Sequence, residues 1–132
     1  MNGTKIVFDT CVVLMMLKGK CELSSLGIDE AFRYISVITR MELAAKQNMK
    51  REEEEAIRNF IADVTVSPLD EEVECKAVEI RRTTKIKLPD CIIAATAIVL
   101  DAVLVTNDVH LLHLSRPDFN VKAIMFSSPA HC

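Results

Sequence analysis

Apolar residues along this chain come in short bursts divided by charged stretches, and the spacing inside each burst separates strands from helices. "KIVF" (Lys5 to Phe8), "YISV" (Tyr34 to Val37), "VTV" (Val64 to Val66), "VLVT" (Val103 to Thr106) and "VKAIMF" (Val121 to Phe126) are brief and β-branched, as buried strands are. Longer segments lie between them. "TCVVLMMLKGK" reads as an apolar helix ended by Gly19, and "ITRMELAAKQ" as a helix beginning near Thr39. "REEEEAIRNFIAD" carries Ile57, Phe60 and Ile61 at the i, i+3, i+4 spacing of an amphipathic helix, and its glutamates suit a solvated first turn. Pro68 and Asp70 open a further helix that runs to about Arg82. "PDCIIAATAIVLDA" is apolar on nearly every face, the pattern of a centrally buried helix.

Strands alternating with helices predict an α/β fold, a three-layer α/β/α arrangement with a five-stranded parallel sheet, as one domain over residues 1–132. In such sheets ligands bind beyond the carboxyl ends of the strands, near a topological switch point. Asp9 follows the first strand and Asp108 the fourth, so both are expected on that rim.

Composition narrows the classes. Half the residues (50%) are hydrophobic, yet there are five Phe, one Tyr and no Trp, so aliphatic side chains and Met must fill the core. Three glycines and four prolines are few for the many tight turns of an all-β chain. A net charge of −3 argues against the broad basic surface of non-specific nucleic-acid binders, although acids gathered around metal ions would weigh on that count. Five cysteines, at 11, 21, 75, 91 and 132, are odd in number and form no CxxC pair. That disfavours a disulfide framework or a zinc site of Cys pairs and suits a reducing cytoplasm. Met1 to Leu17 lacks a signal-peptide plan, because Asp9 interrupts its apolar run. Cys91 to Val105 contains Asp101 and is shorter than the roughly 20 residues a membrane span needs. A soluble, cytoplasmic protein is expected.

Four carboxylates stand beside these apolar runs, and each has an ordinary structural explanation. Asp9 suits the N-cap of the helix that starts near Thr10. Glu42 falls at the capping-box spacing Thr39-x-x-Glu42. Asp90 follows Pro89 in a first helical turn, where an acid complements the dipole, and Asp108 sits in the turn-like "TND". Together they say more than singly: all four could converge on one rim of one sheet. Clustered like charges repel and raise each other's pKa unless a cation is present. Hard divalent ions such as Mg²⁺ or Mn²⁺ prefer oxygen ligands of this kind.

At these residues the chain resembles the PIN domain, a family of metal-dependent ribonucleases. The resemblance rests on "FDTCVVL" around Asp9, "SVITRMEL" around Glu42, "KLPDCIIAATA" around Asp90 and "LVTND" around Asp108, in that order over residues 5 to 108. In length and compactness the chain looks like the VapC-type toxins of toxin–antitoxin pairs. The resemblance implies a five-stranded sheet with the first strand central, and Asp9, Glu42, Asp90 and Asp108 as catalytic metal ligands. It also implies endonucleolytic cleavage of an RNA substrate, a small antitoxin partner and a homodimer. Cys11 stands where Asn or Ser is common, Cys91 where Ala is usual, and Leu111 at a place often aromatic. None of these removes a candidate ligand.

The implied chemistry is in-line hydrolysis of an RNA phosphodiester, with one or two metal ions activating water and stabilising charge. Thr10 and Thr106 are placed to orient the acids by hydrogen bonds. Arg81, Arg82, Lys85 and Lys87 form the densest basic segment, readable as an RNA contact or as a solvated helix end. Arg40 and Lys46 beside Glu42 are equally ambiguous, and His110 and His113 near Asp108 read as surface residues. The alternative to an enzyme is an inactive PIN-fold module for binding protein or RNA, with "VVLMML" and "MELAA" forming an apolar groove. Phosphotransferases on similar sheets fit poorly. Cys11 stands where a haloacid-dehalogenase-type phosphatase would need a second Asp, Asp9 lacks the adjacent acids of a receiver domain, and no glycine-rich phosphate loop is present.

Overall fold

The structure, a computed structural model, describes residues 3–21 and 31–124. Five parallel strands form one sheet: β1 (Lys5–Phe8), β2 (Phe32–Ser36), β3 (Thr65–Ser67), β4 (Val103–Val105) and β5 (Asn120–Lys122), in the order β3-β2-β1-β4-β5. The chain winds outward from β1 through β2 to β3, then crosses to the other side for β4 and β5. The switch point therefore lies between β1 and β4, with β1 central as expected. Residues 125 and 126 of the expected last strand lie outside the described residues.

The helices are α1 (Thr10–Leu17), α2 (Val37–Ala44), α3 (Arg51–Asp63), α4 (Glu71–Thr83), α5 (Leu88–Leu100) and the short α6 (Val109–Leu112). Two cores flank the sheet, because side chains of a strand alternate between faces. Ile6 and Phe8 point to one face, where they meet Val12, Val13 and Met15 of α1, Leu43 of α2 and Ile57 of α3. Val7 and Leu104 point to the other, against Val73, Ala77 and Ile80 of α4 and the run Cys91 to Ala95 of α5. Every residue of α5 from Cys91 to Ala97 is buried, which accounts for its lack of a polar face.

Most strand bounds differ from expectation by one or more residues, and two larger differences have local causes. The N-cap of α2 is Ser36, whose Oγ accepts from Ile38 N at 3.1 Å, so the helix starts before Thr39 and no capping box forms. α6 was unforeseen, since "TND" read as a turn; Asp108 caps it by accepting from His110 N at 2.8 Å. Cys21, Cys75 and Cys91 are free thiols, and Cys11 is disulfide-bonded. No helix among the described residues is long and apolar enough to cross a membrane.

Candidate active site

The geometry of the site follows from strand register. Phe8 pairs with Val105 across β1 and β4, and the ladder continues one step with Asp9 N donating to the Val105 carbonyl at 3.0 Å. The next residues outward are Asp9 and Thr106, 97 positions apart in sequence, and Thr106 Oγ1 donates to Asp9 Oδ2 at 2.6 Å. Thr106 is completely buried and Asp9 nearly so. The other Asp9 oxygen accepts from Thr10 N at 2.8 Å. The Thr106 hydroxyl also accepts from Asp108 N at 3.0 Å, so one side chain ties the exits of β1 and β4 together.

Glu42 reaches the same rim through α1. Thr10 Oγ1 donates to Glu42 Oε1 at 2.6 Å and shares a 3.0 Å hydrogen bond with Thr39 Oγ1. Thr39 and Glu42 are one helical turn apart on α2, so both face Thr10. The spacing that resembled a capping box instead serves a tertiary contact. Asp90 lies in the first turn of α5, half-buried; Ile92 and Ile93 are buried beside it, while Leu88 is exposed.

The electrostatics are those of a negative cluster that Lys87 only partly offsets. Burial raises the Asp90 pKa to about 6, helped by the charges of Asp9, Asp108 and Glu42 and opposed by Lys87. Burial also raises Asp9; the bonds from Thr106 and Thr10 oppose this, and the charges of Asp108 and Glu42 reinforce it. Asp9 and Asp90 thus both feel the charges of Glu42 and Asp108 across the rim. Among the described residues, however, no three His, Cys, Asp or Glu side chains are grouped tightly enough to form a ready metal-ligand set.

Other candidates fall elsewhere. Lys46 pairs with Glu53 at 2.6 Å, tying the loop after α2 to α3, and Arg40 is exposed on α2. His110 and His113 are exposed beside α6. Of the apolar segments, Val12, Val13, Met15 and Leu43 belong to the core, whereas Met41 is 59% exposed. A cleft of about 380 Å³ does lie on α1, lined by Leu14, Leu17 and Lys18, but its other wall is Glu52, Glu53, Ala56 and Ile57 of α3 rather than "MELAA". Sequence reading also missed an ion cluster. Arg116 Nη2 donates to Glu79 at 2.6 Å, its Nε donates to Asp118 at 2.8 Å, and Lys76 lies 3.4 Å from Glu79 and 3.5 Å from Asp118. Its members are 37 or more positions apart across the two segments, so no local pattern announced it.

A parallel sheet with β1 central and carboxylates at its switch point defines the class, and the family model for the PIN domain matches residues 6–117. The chain belongs to the PIN-domain family. Its structure is similar to VapBC2 from Rickettsia felis bound to a promoter DNA fragment (TM-score 0.76, 18% identity, covering 92% of this chain and 100% of that one). It is similar also to DNA-bound VapBC from Salmonella typhimurium (TM-score 0.73, 23% identity, 91% and 98% covered). A toxin–antitoxin complex from Klebsiella pneumoniae matches with TM-score 0.68 at 27% identity, over 89% and 96% of the two chains. Comparison with curated proteins found no match.

Proposed function

We propose that this chain is a metal-dependent endoribonuclease and the toxin of a toxin–antitoxin pair, acting in the cytoplasm as a homodimer. The observation that carries the reading is the hydrogen-bond network of Thr10 and Thr106 that ties Asp9, Glu42 and Asp108 to the β1/β4 switch point, with Asp90 near enough for their charges to raise its pKa and no ion pair to any of the four among the described residues. The donor set is all oxygen and suits Mg²⁺ or Mn²⁺ rather than a soft metal. Repulsion among the acids accounts for their not being drawn into a closed set, and a cation would relieve it.

In this reading Asp9, Glu42, Asp90 and Asp108 hold the ion. Once bound, it supplies an acidified water and neutralises charge on the phosphate. The Thr106 hydroxyl fixes the orientation of Asp9, and Thr10 restrains Glu42, so both acids are positioned before substrate arrives. Similarity to the Klebsiella complex supports a small antitoxin partner, and the α1–α3 cleft offers it an apolar floor.

A second reading, an inactive PIN-fold interaction module, has in its favour the lack of a preformed ligand trio among the described residues. Cleavage of a panel of RNAs with Mn²⁺ or Mg²⁺ separates the two. The nuclease reading expects activity that is lost on chelation and in Asp9→Asn and Asp90→Asn. Cleavage indifferent to both treatments contradicts it.

A further inference from the structure

We infer that the end of α4 and its connection to α5, carrying Arg82, Lys85 and Lys87, form the docking surface for the phosphodiester backbone of the RNA substrate. The inference rests on the nuclease reading and names the surface that would hold the substrate beside the acids. Arg81, Arg82, Lys85 and Lys87 place four cations in seven residues, with no acid between Glu79 and Asp90, in a chain of net charge −3. Ion pairs among the described residues use Lys46, Arg58, Lys76 and Arg116, and none of these four.

The backbone of this connection is anchored so that its cations face outward. Thr84 Oγ1 donates to the Ile80 carbonyl at 2.9 Å and accepts from Ile86 N at 3.2 Å. Ile86 is buried, and its carbonyl accepts from Cys91 Sγ at 3.4 Å. Between these inward residues Lys85 and Lys87 are exposed, as is Arg82 before them.

Helix electrostatics do not explain the whole group. Arg81 and Arg82 lie in the last turn of α4, where a cation complements the dipole. Lys85 lies outside both helices, and Lys87 is the N-cap residue of α5, the end at which the dipole disfavours positive charge. Lys87 stands one turn before Asp90, so a strand held along 82–87 leads its backbone straight to the acid cluster. Exposed cations that neutralise phosphates without reading bases give salt-dependent, sequence-tolerant binding.

The test measures binding rather than cleavage, so its failure is distinct from failure of the nuclease reading. A labelled single-stranded RNA is titrated, without metal, into the Asp90→Asn chain over a range of salt concentrations. The comparison is with Asp90→Asn carrying Arg82→Gln, Lys85→Gln and Lys87→Gln. Each phosphate contact contributes about 0.7 to the slope of log affinity against log salt for a single strand. The triple variant is expected to flatten the slope by about 2 and to weaken binding up to about 100-fold near 0.1 M salt. Replacing the same three residues by conservative cations (Lys85→Arg, Lys87→Arg, Arg82→Lys) should preserve the slope. Lys5→Gln, Arg33→Gln and Arg58→Gln, at the amino ends of β1 and β2 and on the exposed face of α3, remove equal charge and should leave it unchanged. A flattening below about 0.7, less than one contact, overturns the proposal. So do an equal loss in the control triple and a lack of RNA binding by the parent chain.

Discussion

Two clusters of acidic side chains among the described residues are treated in opposite ways. At the edge of α4, Glu79 and Asp118 are neutralised by Arg116 and Lys76, and the hydrogen bond from Arg116 is the main cause that brings the Asp118 pKa down to about 2. At the β1/β4 rim, Asp9, Glu42, Asp90 and Asp108 have no such ion pair among the described residues, and burial with repulsion from the other acids raises Asp90 to about 6. The same chain that supplies its own cation in one place leaves the other incomplete. A folding advantage explains the first cluster, since charge-assisted pairs there tie α4 to the loop before β5. It does not explain the second, which burdens the metal-free fold. On the proposed reading, the rim takes its cation from outside.

The largest expected effect separates the clusters by function. Asp90→Asn should lower metal-dependent RNA cleavage by about 10³-fold or more, because charge stabilisation by a bound ion is worth several kcal/mol. The same substitution should raise the melting temperature of the metal-free chain, since it removes a repelled charge. A variant that keeps full activity would break the comparison. Next comes Thr106→Val, which removes the donor to Asp9; Mn²⁺ affinity should fall about 10- to 100-fold, with Thr106→Ser restoring most of it. Unchanged affinity would mean that the hydroxyl merely packs.

The pH dependence sharpens the contrast because the two shifts have opposite sign. Asp90 has its pKa raised from 3.8 to about 6, so the folded chain binds this proton more tightly than the unfolded one. Metal-free stability should therefore fall as pH rises from about 4 to about 6. The bound is about 3 kcal/mol, and screening of a half-exposed group reduces it to on the order of 1 kcal/mol. Asp118, lowered from 3.8 to about 2, stabilises above pH 4, and that contribution is lost as pH falls towards 2. Urea titrations across pH should show a maximum near pH 4 without metal, and a flatter profile above it with Mg²⁺. The smallest effect is Arg116→Gln, which should lower the melting temperature by roughly 2–5 °C and leave cleavage intact.

Much of this arrangement was legible in the sequence, for identifiable reasons. β1 and α3 have the bounds their patterns predict, Lys5–Phe8 and Arg51–Asp63, because each pattern is local and strong. The two hydroxyls expected to orient acids, Thr10 and Thr106, do contact Asp9 or Glu42, as residues next to an acid at a strand end readily can. What misled was local chemistry overruled from a distance. Thr39 and Glu42 had the spacing of a cap, but Ser36 takes that role and both side chains turn to Thr10, 29 and 32 positions away. The Arg116 cluster was invisible for the same reason, since nothing near Arg116 in sequence points to Glu79.

The most direct measurement is calorimetric titration of Mn²⁺ at pH 7 into the wild-type chain, Asp9→Asn, Asp90→Asn and Arg116→Gln. The account predicts binding by the wild type and by Arg116→Gln, and its loss in both rim variants. Absence of Mn²⁺ binding, or binding indifferent to Asp9 and Asp90, would contradict it.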